Sequence, residues 1–144
     1  MMRNAILLAL ALLTAPQAAF AETGAGPVPI RLQWVGDDLT GSVLVNRVRG
    51  LLAASPDKRE TFGDRDGLSV IVQTIDPASE WQDKVAAQRR LTVYSLTINQ
   101  HYAEPGTDVF ASAALGYCAL ADLAGCAREI IDALDEQIVR LALR

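Results

Sequence analysis

LTVYSLTINQHYAEPGTDVFASAALGYC, residues 91–118, is the stretch on which the fold turns. Its first part alternates. Thr92, Tyr94, Leu96 and Ile98 fall on one side and Leu91, Val93, Ser95 and Thr97 on the other, the period-two signature of a strand over 91–99. The second part, Asp108 to Cys118, is ambiguous. Its alanines suit a helix, yet Val109, Ala111, Ala113, Leu115 and Tyr117 also alternate, which would place them on one strand face. Between the two lies Gln100 to Thr107, with the turn dipeptide Pro105-Gly106. Two strands in succession across such a turn read as a hairpin, and a hairpin here predicts an α+β chain.

Working outward, the C-terminal flank is the clearest element. From Asp122, the apolar residues Leu123, Ala127, Ile130, Leu134, Ile138 and Leu141 recur every three or four positions, the stripe of an amphipathic helix. Arg128, Glu129, Asp132, Asp135, Glu136 and Arg140 occupy its other side. Upstream, Leu68 to Ile75 is apolar at both parities (Val70, Ile71, Val72), as expected of a strand covered on both sides. Asp76-Pro77 offers a helix start, and a short helix over Pro77–Arg89 would put Trp81 and Val85 on one face. Asp57 to Gly67 is charged and patternless, and reads as a loop.

Nearer the start, Ile30, Leu32 and Trp34 alternate with Arg31 and Gln33 as a strand. A helix over 42–54 follows, with Leu44, Val48, Leu51 and Leu52 as its stripe and Asp38, Thr40 or Ser42 as its N-cap. The order is strand-helix-strand-strand-strand-helix. It predicts an α+β fold: a four-stranded, largely antiparallel sheet with two helices packed on one face.

The chain opens with Arg3, an apolar run from Ala5 to Leu13, and Ala19-Phe20-Ala21, the order of a cleaved signal peptide over residues 1–21. Residues 22–29 then form a Gly/Pro/Ala-rich flexible leader, and 30–144 a single domain. The run is too short to span a bilayer, so no stable membrane anchor is expected after cleavage, and the protein should reside in the periplasm or be secreted. The net charge of −4 argues against nucleic-acid binding, which favours a basic surface. In an oxidising compartment Cys118 and Cys126 read as a disulfide, with buried free thiols as the alternative. One histidine and two cysteines are too few soft ligands for zinc, and no loop suits a nucleotide or calcium, so no cofactor is expected.

Candidate chemistry is sparse. Asp37 and Asp38 are adjacent carboxylates at a helix start, where capping is their ordinary role. His101 could act as a base for Ser95 or Ser112, yet no nucleophile elbow surrounds either serine, and a lone histidine in a polar turn is expected to be exposed. Trp81 and Tyr102 are candidates for a partner surface. The reading is therefore an accessory or binding protein without catalytic activity, docking on another envelope protein through a sheet edge or the Trp81 region. The alternatives are a small secreted hydrolase using Asp37, Asp38 or Asp108, and an enzyme inhibitor presenting the 99–107 loop.

Overall fold

The computed structural model describes residues 26–78 and 91–142. The expected signal peptide, most of the leader, and the segment holding Trp81 and all but the first two residues of the Pro77–Arg89 helix lie outside the described residues.

β1 (Val28–Val35) leads into α1 (Leu39–Ala54), followed by β2 (Lys58–Glu60), β3 (Gly67–Ile75), β4 (Leu91–Tyr102), β5 (Thr107–Ala119) and α2 (Leu123–Ala142). The strands form one sheet in the order β2-β1-β3-β4-β5. β1 runs parallel to both β2 and β3, while β3–β4 and β4–β5 are antiparallel. The α+β layout is as expected, with two helices described in full and a further helical segment beginning at residues 77–78. The sheet, however, has five strands and is mixed, where four largely antiparallel strands were expected.

The unexpected strand is β2, a Lys-Arg-Glu triplet inside the charged loop. It carries no apolar alternation because its anchor is a lysine. The Lys58 side chain is buried, with Nζ 3.0 Å from Asp57 and 2.5 Å from Asp135 on α2. Burial pulls the Lys58 ammonium down, but the bonds to Asp135 and Asp57 outweigh it and hold the group above the ordinary lysine value. β1 likewise starts earlier than expected. Val28 and Pro29 pair with Lys58 and Arg59, so the end of the expected leader is sheet.

Both helices cover the same face. Ile30, Leu32, Leu68, Val70, Val72, Leu96 and Ile98 point into one core with Leu44, Val48 and Leu52 of α1 and Leu123, Ala127, Ile130 and Leu134 of α2. Asp38 caps α1, its Oδ1 accepting from Gly41 N–H, which starts the helix three residues before the expected position. Asp76 accepts from Ala78 N–H in the same manner. Trp34 is half-buried against the core, its Nε1 donating to Thr74 at 2.9 Å.

The ambiguous stretch is a hairpin. Its turn spans 103–106, with a cis Glu104–Pro105 bond and Gly106 at φ 76°, where a side chain would be strained. Gly116 has a different reason: an added Cβ would sit 2.5 Å from the ring of Tyr94, its cross-strand partner. Burial, helped by the Glu129 carboxylate on α2, raises the Tyr94 hydroxyl above its ordinary value. The Cys118–Cys126 disulfide joins the end of β5 to the first turn of α2, with Cα atoms 6.1 Å apart.

Candidate functional site

Because side chains alternate along a strand, a sheet covered by helices on one face has a second set of residues on the other. Here that set includes Ile71 and Gln73 of β3, Val93, Ser95 and Thr97 of β4, and Ala113, Leu115 and Tyr117 of β5, by register with one another. Among the described residues no helix or strand packs on this face. Leu115 is 82% exposed and Tyr117 77%.

A bulge adds to the face. Ile98 pairs with Ser112 but Asn99 with Phe110, leaving Ala111 as an extra residue. One inserted residue flips the phase of everything before it. Phe110, 66% exposed, thereby joins Leu115 and Tyr117. Val109 instead pairs with Gln100 on the helix side, so the expected single row Val109-Ala111-Ala113-Leu115-Tyr117 is broken at the bulge, where Val109, Phe110 and Ala111 all border a hollow shared with Gln137, Arg140 and Leu141 of α2.

β5 is also an edge of the sheet, thirteen residues long, with nothing paired to its outer side among the described residues. Edge strands are ordinarily guarded by charge, proline or shortness. Between Asp108 and Asp122 there is no charged residue and no proline. That blank interval is the signal that the chain itself carries for this surface.

At the turn end of the same face sits an ionic cluster. His101 is 4% exposed, where an exposed turn residue was expected, because β4 runs on to Tyr102 and carries the ring into the sheet. Nδ1 lies 2.6 Å from Asp108 and Nε2 2.6 Å from Asp64 of the β2–β3 loop. Carboxylates only accept, so both ring nitrogens donate and the imidazole is the cation. The bonds to Asp64 and then Asp108 raise its pKa above 6.5, against the opposing pull of burial and of Arg31. Arg31 bonds Asp108 at 3.1 Å and Ser69 at 3.3 Å, and Asp66 accepts from Ala103 N–H at 2.7 Å, tying the loop to the hairpin turn.

This cluster is built to hold, and offers little to a reaction. Both nitrogens of His101 are occupied by carboxylates, and Ser69, 0% exposed, bonds the arginine rather than the histidine. Ser112 pairs with Ile98 on the helix side, and Ser95 lies six residues along β4 from His101. Asp37 and Asp38 follow the C-terminal end of β1, with Asp38 taken by its cap, whereas Asp108 meets Arg31 towards the other end; the three do not converge. Among the described residues no group of three or more His, Cys, Asp or Glu could hold a metal ion. Tyr102 is half-buried opposite Thr107, and the 99–107 segment is mostly strand, with only 103–106 in the turn.

No protein-family model matches the chain, and no curated protein matches it. A solved structure, a PelC dodecamer from Paraburkholderia phytofirmans, is similar to it with a TM-score of 0.45 and 12% identity, covering 78% of this chain and 87% of that one. At that level the likeness carries no statement about activity or assembly.

Proposed function

We propose that the protein is an exported, non-catalytic docking module that binds another envelope protein through the uncovered face of its sheet. One observation carries the reading: Phe110, Leu115 and Tyr117 stand 66–82% exposed on one face, beside half-buried Ile71 and Val93, with no charge among them. Three large apolar side chains held on rigid strands, with aromatics prominent, are the composition of an interface centre. The Cys118–Cys126 bridge supports an oxidising compartment, periplasmic or extracellular, for the working protein. Trp81 remains a candidate second contact, and no cofactor enters this activity.

The test is crosslinked capture of the mature protein from its own envelope extract. Wild-type bait should recover one dominant partner, and Phe110→Ser bait should lose it while keeping its thermal melting point. Equal recovery by both baits sinks the face as the docking surface. Recovery of no partner, combined with hydrolytic activity on envelope polymers, would favour the enzyme reading.

A further inference from the structure

The outer edge of β5, to which no strand pairs among the described residues, raises a question separate from the face it borders: what covers its backbone groups. We propose that a second copy of this chain does, the two β5 strands pairing antiparallel about a two-fold axis centred on Gly116. The inference rests on the edge of β5 and not on Phe110, and it shares Leu115 and Tyr117 with the docking face.

Three features select a second copy. The opposite edge cannot serve, because β2 offers only Lys58, Arg59 and Glu60, too short and too charged to meet thirteen residues of β5; head-to-tail rings or filaments are thereby disfavoured. Self-pairing meets no like charges, because the interval between Asp108 and Asp122 holds none. Finally, the regular part of β5 beyond the bulge contains a symmetric stretch, Ala113 to Ala119, that can pair with its own copy. A register centred on Gly116 sets Leu115 of each copy opposite Tyr117 of the other on the uncovered face. Those are the two most exposed large apolar residues of β5, and aliphatic–aromatic cross-strand pairs are among the favourable ones. An axis perpendicular to the sheet keeps both pairs of helices on one side, and merges the two uncovered faces into one. The closed pair consumes both β5 edges and leaves outermost only the two short, charged β2 strands, poor templates for further copies.

The experiment is sedimentation equilibrium of the mature wild-type protein and of Leu115→Lys and Ala113→Lys at high micromolar concentration, with circular dichroism to verify folding. The expected result is a wild-type dimer and folded monomers for both variants. Mixing Leu115→Cys chains with Tyr117→Cys chains under oxidation should link copies, and Leu115→Cys chains alone should not. A monomeric wild type, or variants that remain dimeric, overturns the proposal. A monomeric wild type that still captures a foreign partner, lost in Phe110→Ser, overturns self-pairing and leaves the docking reading standing. A dimer that captures nothing does the reverse.

Discussion

The two edges of the sheet solve the same problem in opposite ways. β2 is three residues long, all charged, and held by a buried lysine between two aspartates. β5 is thirteen residues long, uncharged from Val109 onward, and held by a covalent bridge at its end. The first is a guarded edge in the ordinary sense: too short to template a strand, and too polar to attract one. The second has no such guard. The contrast teaches that, among the described residues, one edge is closed by shortness and charge while the other presents a long uncharged strand, the feature on which both proposals rest.

The largest expected effect that bears on this contrast is at the anchor of β5. Replacing both Cys118 and Cys126 by alanine should lower stability by about 2–3 kcal/mol through loss of the closed loop's constraint on the unfolded chain, read by denaturant melting. Reducing agent should produce the same loss in wild type and none in the variant. At the other edge, Lys58→Met should cost less than about 1 kcal/mol, since the stem's packing is kept and Asp57 and Asp135, both substantially exposed, are solvated by water. A larger loss than for the cysteine pair would reverse the ranking of the two anchors.

Between the edges, the His101 cluster adds a pH dependence. The folded pKa is raised above 6.5, so its stabilisation is complete below the unfolded value and disappears as pH rises through the folded one. Melting temperatures from about pH 6 to about pH 9 should therefore decline in wild type, and His101→Gln should flatten that slope. A rising wild-type slope would contradict the assignment of a doubly hydrogen-bonded cation. Smallest of all, Leu115→Lys should shift stability by no more than about 0.5 kcal/mol, since the side chain is 82% exposed and touches little in one copy. Its effect belongs to association alone.

Much of the architecture was legible in the chain because it rests on periodicity. The α2 stripe from Leu123 to Leu134 is buried as the spacing requires, and the alternation of Thr92, Tyr94, Leu96 and Ile98 marks the core side of β4. What was not legible depends on long-range partners. β2 has no pattern of its own, and the ion-pair partner that meets its buried Lys58, Asp135, lies far along the chain. His101 looked like a turn residue because its two carboxylates come from Asp64 in a separate loop and Asp108 across the hairpin. The bulge at Ala111 inverted the side assignments before it, and single-strand alternation cannot foresee an insertion defined by its neighbour. The bridge, by contrast, needed only compartment and parity.

That bridge also governs how the molecule bears traction. A strand gripped along its outer side can be peeled from a sheet one rung at a time, beginning at its loose end. Here the end of β5 is welded through sulfur to the base of α2, and α2 is sunk in the core by Leu123, Ala127, Ile130 and Leu134. A pull on the edge is therefore passed to the helix and the whole apolar layer beneath it, so detachment demands collective shear rather than unzipping. The placement of one bridge, between residues eight apart in sequence, thus decides how load on the edge is shared with the core.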